Sequence, residues 1–161
     1  ACVDLLSTGG SGNDERDPSH ASFINCKFAN GQEGIKDTGG SHHVLVSGCE
    51  FNALTTGILT ASTGVRVPSY WTIENSLFVN NTNHVKISSN YGVVKGNTFL
   101  KHTTTALGLK EVSSQGEYNV VVGNALGGTY SIAGGYTPGA NDEWGGNFNS
   151  LSGGVTADDP A

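Results

Sequence analysis

The residues best suited to acid–base chemistry in this chain are four basic side chains, Lys36, His84, Lys86 and Arg66. A lyase that acts on a uronate-containing polysaccharide needs a base to abstract the proton α to the uronate carboxylate and a cation to neutralise that carboxylate. These four residues suit both roles and are therefore the catalytic candidates. The alternative is that these residues belong to a polar face in contact with solvent and have no catalytic role. We favour it because few charged groups lie close enough together to perturb a pKa.

Other enzyme classes find less support. A glycosidase needs two carboxylates about 5–10 Å apart, and only Asp37 lies on or beside the same predicted face. The sequence also contains no Gly-Lys pair of a phosphate-binding loop, no Gly-x-Ser-x-Gly motif and no Cys-x-x-Cys pair.

A six-residue motif, which we call the phrase, occurs five times in the sequence. It predicts the strands that must position these side chains. Its third position is always Asn or Gly and its fourth is always Cys, Ser or Asn. Because Asn and Gly adopt the left-handed backbone region most readily, the third position predicts a bend that recurs in every copy. The first position is apolar, at Phe23, Val46, Ile73, Val94 and Val121, and the sixth is Phe28, Phe51, Phe78, Phe99 and Leu126.

The copies follow one another at intervals of 21 to 27 residues, which predicts a solenoid. Apolar and polar residues alternate as in half-buried strands, so we expect three short strands in each coil. A second apolar column follows the phrase at Ile35, Ile58, Val85, Leu107 and Ile132. The alternation predicts two outward rows on the third strand: Lys36, Leu59, Lys86 and Gly108, and before it Gly34, Gly57, His84 and Ala106.

Charged residues of successive coils are predicted to pair. Lys27 and Glu50 share one outward column of successive coils, and Glu74 and Lys95 share another. Such cross-strand neighbours stabilise the register by roughly 0.2–1 kcal/mol each.

The phrase resembles the coil repeat of the right-handed parallel β-helix of the pectate-lyase-like superfamily. The resemblance covers residues 20–133 and implies an all-β fold of about five coils, with a ladder of small polar side chains at the second turn. We expect Gly-rich capping segments on both sides: an N-terminal cap or arm over residues 1–19 and a C-terminal loop-rich cap or arm over residues 134–161. The same repeat occurs in lyases, glycosidases, epimerases, phage tailspikes, adhesins and structural virion parts, so the resemblance is specific for fold rather than activity.

Composition excludes two classes of partner. The 161 residues carry a net charge of −6 with only 14% charged side chains, which argues against binding of nucleic acid or an anionic membrane. No stretch approaches the ~18 apolar residues of a membrane span. Because the sequence contains no methionine, we expect the chain to be processed or excised from a longer protein.

Several apolar side chains are predicted to point away from the column. Monomeric proteins rarely expose so much contiguous apolar surface, so either a terminal segment or another subunit covers it. A homo-oligomer or larger assembly is therefore expected, with a polysaccharide as a further possible partner. The interface candidates are Leu45, Leu77, Val79, Val93, Leu100 and Val120.

Cysteine and metal chemistry have structural alternatives. Cys26 and Cys49 occupy the same column of adjacent coils, where a disulfide is sterically possible, although two buried thiols are favoured. No cofactor is expected: the acidic residues in 12–17 and 141–143 could hold Ca²⁺, but capping loops explain them better. Adjacent His42 and His43 point to opposite faces of a strand, which argues against shared metal ligation.

Two functions are compatible with these features. The first is an extracellular, structural or surface-recognition β-helix module of a virion appendage, capsid decoration or cell-surface adhesin, with polar faces available for contact with glycans. The alternative is a polysaccharide lyase of the pectate or alginate type, using the four basic candidates. The poor catalytic inventory and the outward apolar rows favour the first.

Overall fold

A computed structural model of the chain describes residues 1–5, 20–38, 40–60, 68–101, 105–109, 118–127, 143–149 and 154–155. All regular secondary structure in these ranges is β-strand. In chain order the strands are β1 Val3–Leu5, β2 Ser22–Ile24, β3 Lys27–Asp37, β4 Leu45–Ser47, β5 Glu50–Thr60, β6 Thr72–Glu74, β7 Leu77–Val79, β8 Asn83–Ile87, β9 Val93–Lys95, β10 Thr98–Leu100, β11 Thr105–Leu109, β12 Val120–Val122, β13 Ala125–Gly127, β14 Glu143–Gly145, β15 Phe148–Asn149 and β16 Gly154–Val155.

The strands form two sheets, and nearly all described pairings are parallel. The smaller sheet contains the six three-residue strands β2, β4, β6, β9, β12 and β14, and the larger contains the other ten. The pairing of β15 with β16 is antiparallel. At the other end β1 pairs with the third-strand part of β3, while most of the predicted N-terminal cap lies outside the described residues.

The five copies of the phrase stack in register, so the predicted parallel β-helix is confirmed. Each sixth-position residue from Phe28 to Leu126 pairs with its counterpart in the next coil. The second apolar column likewise pairs from Ile35 to Leu107, and Ile132 lies outside the described residues. The coil count differs from five because β14 and β15 add a layer on β12 and β13. This sixth copy begins at Trp144 and ends in Asn149 instead of Phe or Leu, which hides it in the sequence.

The predicted bend at the third position of the phrase is confirmed. All described members adopt the left-handed region, with φ between 50° and 64°. Two left-handed residues further along, Asn30 and Ala53, lie inside continuous strands of eleven residues. The expectation of three short strands in every coil is therefore wrong for these two coils, because a single left-handed residue turns the chain without interrupting its pairing with the neighbouring coil.

The fourth position of the phrase forms an internal ladder of hydrogen bonds. The Ser76 amide donates to Asn97 Oδ1 at 3.0 Å, and the Asn97 amide donates to Asn124 Oδ1 at 3.0 Å. Asn124 repeats the contact with Asn147 Oδ1 at 2.9 Å. Each carboxamide thus satisfies buried backbone groups that the bends leave without a sheet partner.

Aromatic rings fill the centre of the column. Phe28, Phe51, Phe78 and Phe99 stack with centroids 4.6–5.0 Å apart, and three of the four are completely buried. Val46, Ile73, Val94 and Val121, from the first position of the phrase, face the same interior. The repeat period therefore determines the core, because in-register stacking brings like residues together in every coil.

Glycine is required beside the phenylalanine stack. A Cβ on Gly57 would lie 2.5 Å from the His84 carbonyl oxygen and 3.0 Å from Phe78 Cδ1. We expect Gly57→Ala to lower the free energy of unfolding by about 1–3 kcal/mol, as overpacking of a rigid core does. Chemical denaturation of Gly31→Ala provides the matched control, since its Cβ would meet nothing nearer than 3.5 Å. Equal stabilities of the two variants would contradict this expectation.

Candidate functional site

Five ring side chains lie one above another on the surface of the column, one before each of the five copies of the phrase from Phe23 to Val121. Neighbouring ring centroids are 4.8–5.1 Å apart, and the ring planes are inclined by only 5–12°. The two histidines are exposed and each tyrosine exposes 45–47% of its surface. This set, which we call the aromatic ladder, consists of His20, His43, Tyr70, Tyr91 and Tyr118.

The backbone of the aromatic ladder is strained. All five residues have φ between 55° and 62°, a region that is uncommon for bulky side chains and costs roughly 1–2 kcal/mol per residue. The bend at the third position of the phrase uses only Asn and Gly for the same conformation. Ring stacking offsets part of the strain, at roughly 0.5–1.5 kcal/mol per pair. Strain held at bulky residues is typical of functional sites.

The sequence contains a signal for this ladder that the interpretation of the phrase missed. Each ring lies three residues before the first position of its phrase, as His43 precedes Val46 and Tyr70 precedes Ile73. Extending the aligned phrase three residues upstream would have placed two histidines and three tyrosines in one column.

An open groove of about 330 Å³ lies beside the aromatic ladder. Its wall is formed by three ladder rings and its floor by the outward residues at the start of β4, β6 and β9. Floor residues Leu45, Thr72 and Val93 pair directly with one another in adjacent coils. The lining consists of His43, Val44, Leu45, Tyr70, Thr72, Tyr91 and Val93. An apolar concavity with a few polar groups is the usual form of a ligand site.

The inner rings turn their edges, rather than their faces, towards the groove. Near-parallel stacking puts both faces of each inner ring against its neighbours. The tyrosine hydroxyls remain available, because those of Tyr70 and Tyr91 make no hydrogen bond to another described residue. The groove therefore offers apolar contact together with the hydroxyls of Tyr70, Thr72 and Tyr91.

An ion pair borders the groove two residues further along the same strands. Lys95 Nζ lies 3.0 Å from Glu74 Oε2, and Ser47 Oγ donates a hydrogen bond of 3.1 Å to Glu74 Oε1. Lys27 and Glu50 pair at 2.8 Å, so both predicted inter-coil pairs are confirmed. The hydrogen bond from Lys95 lowers the pKa of Glu74, with smaller contributions from Ser47 and the charge of Lys95.

We expect the pKa of Glu74 to lie below its ordinary 4.5 in an NMR titration of the folded protein. Because the folded pKa is depressed, the pair stabilises the fold at pH values above the unfolded pKa, and this contribution is lost as the pH falls through the folded pKa. Lys95→Met should raise the pKa of Glu74, whereas the control Lys101→Met should leave it unchanged. A Glu74 pKa that does not respond to Lys95→Met would contradict the assignment.

The candidate lyase residues do not form one cluster. Lys36 and Lys86 are half-buried in the third-strand row, two coils apart with Leu59 between them. Arg66 lies outside the described residues. Asp37 ends β3 and is fully buried, where its carboxylate accepts hydrogen bonds from the Gly40 and Ser41 amides at 3.0 and 2.9 Å. It therefore caps a loop.

The prediction that His84 points outward is wrong. Its side chain is completely buried and lies beside the rings of Phe78 and Phe99, with centroids 6.1 and 5.8 Å away. Its Nδ1 is 3.0 Å from Asn81 Nδ2. The chain turns into β8 at this point, so His84 and Val85 both face the interior and strict alternation does not hold. A Cβ at Gly57, the preceding member of the same row, would likewise contact Phe78.

The outward apolar rows lie where the alternation predicts them. Leu77 and Leu100 each expose 36% of their surface, and Val79 beside them is half-buried. Leu45 and Val93 belong to the groove, and Val120 continues their row. The oligomer expected from these rows stays a prediction.

Cys26 and Cys49 are adjacent free thiols in the internal ladder. The Cys26 amide donates to Cys49 Sγ at 3.4 Å, and burial raises the pKa of the Cys49 thiol.

Residues 12–17, 141 and 142, proposed as possible calcium ligands, lie outside the described residues. Within the described ranges no three His, Cys, Asp or Glu side chains are placed to hold a metal ion. The described part of the chain also contains no helix long and apolar enough to cross a bilayer.

Comparisons with known proteins agree with the parallel stacking. Residues 7–142 match the model of a family described as the right-handed β-helix region. Searches of curated proteins and of solved structures found no significant match. Since the family model spans most of the chain and the described strands stack in parallel coils, the chain belongs to the right-handed β-helix family.

Proposed function

We propose that the protein is a surface-recognition β-helix module that binds glycans in the groove beside the aromatic ladder. A virion appendage, capsid decoration or cell-surface adhesin is the setting we propose for it. The single observation that carries the proposal is the exposed, strained ladder of five stacked rings with a groove along one side.

The chemistry of the groove suits a sugar. A pyranose ring has C–H-rich surfaces surrounded by hydroxyl groups, and the groove combines apolar floor residues such as Leu45 and Val93 with the hydroxyls of Tyr70, Thr72 and Tyr91. Aromatic residues contribute large contact areas at low conformational entropy, because they have only two side-chain torsions. Recognition by direct contact with a rigid surface is therefore favoured.

A purely structural role explains the ladder less well. The Asn and Gly residues at the third position of the phrase adopt the same backbone conformation with less strain, and they need no stacking to do so. Retaining three half-exposed tyrosines at strained positions is more easily understood if the rings also bind a ligand.

The test replaces ladder rings by a residue that tolerates their backbone. Tyr70→Asn and Tyr91→Asn remove the ring but keep a side chain that readily adopts positive φ. We expect each to weaken polysaccharide retention in native affinity electrophoresis about tenfold or more, as loss of a central contact residue does. Leu77→Asn, which changes an exposed apolar residue on the other sheet, is the matched control. Retention that persists unchanged in both tyrosine variants would rule out this site.

The lyase alternative stays a prediction with its own test. It requires an unsaturated product, detected by ultraviolet absorbance, from an acidic polysaccharide, and loss of that product in Lys36→Ala combined with Lys86→Ala.

A further inference from the structure

The lining of the groove is electrically almost neutral. Of its seven residues only His43 can carry a charge, and neither a carboxylate nor a Lys or Arg is among them. Among the described residues, Glu74 and Lys95 lie two residues further along the floor strands, 3.0 Å apart, and neutralise each other. A uronate or sulfated chain would lose hydration here without gaining a cationic partner, which is unfavourable for a charged group.

The ring positions and the floor positions of the groove repeat along the column axis. Ring centroids of the ladder are 4.8–5.1 Å apart over four intervals, and Leu45, Thr72 and Val93 repeat at the same rung spacing on the floor. One sugar unit of an extended chain advances by a distance comparable to one rung. A linear chain that runs parallel to the axis therefore meets one ring and one floor residue at every coil, whereas a chain lying across the column meets only one such pair.

From the neutral lining and the axial repeat we infer that the groove takes an unbranched segment of a neutral polysaccharide, lying parallel to the column axis. This inference rests on the proposed glycan-binding function and adds the ligand class and its direction. The two central rings, Tyr70 and Tyr91, provide the main wall contacts, and Thr72 lies at the centre of the floor.

Charge selectivity is tested with polymers that share a backbone. The probes are hydroxyethylcellulose against carboxymethylcellulose and dextran against dextran sulfate, with galactomannan and polygalacturonate as further neutral and acidic polymers. We expect at least one neutral polymer to retain the protein in affinity electrophoresis, with a Kd about tenfold or more below that of its acidic counterpart. Retention should change little between about 0.05 and 0.5 M salt, because no ion pair contributes to it.

Two variants test the inference further. Thr72→Lys puts a cation at the centre of the floor, and we expect it to shift the preference towards the acidic counterpart by about tenfold. Tyr91→Phe keeps the ring and removes the hydroxyl, so we expect a smaller loss of retention than in Tyr91→Asn. Circular dichroism of each variant checks that the fold is unchanged.

The possible failures are distinguishable. Equal or stronger binding of acidic polymers, lost in Tyr91→Asn, would overturn the neutral ligand class and leave the proposed glycan site standing. Binding of neutral polymers that Tyr91→Asn does not affect would overturn both. Retention by no polymer, together with self-association abolished by Tyr91→Asn in light scattering, would assign the groove to a second copy of the chain and also overturn both.

Discussion

Phe78→Ala is expected to lower the free energy of unfolding by about 3–5 kcal/mol, measured by chemical denaturation. Phe78 is completely buried and stacks between Phe51 and Phe99 at 4.6 and 5.0 Å. Alanine would remove both ring contacts and leave a cavity at the centre of the column. The neighbouring coils are held apart by their backbone hydrogen bonds, so the cavity cannot collapse readily.

Leu77→Ala is the matched control for this prediction. Leu77 precedes Phe78 in β7 but points to the outer face and exposes 36% of its surface. We expect its loss to change stability by less than about 1 kcal/mol, as for most surface substitutions. Comparable losses for the two variants would contradict the assignment of inner and outer faces.

Asn97→Leu is expected to have a destabilising effect of similar size, about 3–5 kcal/mol. The Asn97 carboxamide accepts from the Ser76 amide at 3.0 Å and donates to the Ile73 carbonyl and Asn124 Oδ1 at 2.9 and 3.1 Å. Leucine has a similar volume but leaves these buried groups without partners, at about 1–3 kcal/mol for each.

Asn52→Leu supplies the comparison for the ladder. The Asn52 side chain makes only long contacts of 3.4 and 3.5 Å, to Asn80 and Glu50, near the protein surface. We expect its replacement to change stability by no more than about 0.5 kcal/mol. A near-neutral Asn97→Leu variant in the same denaturation series would show that the internal ladder contributes little to stability.

Much of the fold can be predicted from the repeated phrase. Parallel coils in register place equivalent residues of successive copies directly above one another. Residues at the same position of the phrase therefore contact one another in the folded protein. This explains the success at the Phe28–Phe99 stack, the Asn and Gly bend, and the Lys27–Glu50 ion pair. The same logic fails at His84, because the chain turns there and two consecutive side chains face inward.

The candidate site could be predicted from the sequence far less completely than the fold. Tyr70 and Tyr91 each lie three residues before their copy of the phrase, which places them in one column but does not indicate that this column is exposed beside a groove. The catalytic candidates were chosen by residue type, which says nothing about whether Lys36 and Lys86 lie within reach of one substrate. Their separation by the Leu59 coil is set by the stacking order of the strands.

By itself, the sequence determines a low-charge, all-β chain whose repeated residues form the coils, the bends and the internal ladder. Only the tertiary structure decides that the column of His20, His43, Tyr70, Tyr91 and Tyr118 is an exposed strip beside a groove whose lining contains no Asp, Glu, Lys or Arg. The physical reason is that core columns are recognisable by hydrophobicity and bend preference, whereas a surface site arises from the rise and angle between coils, which bring distant residues together.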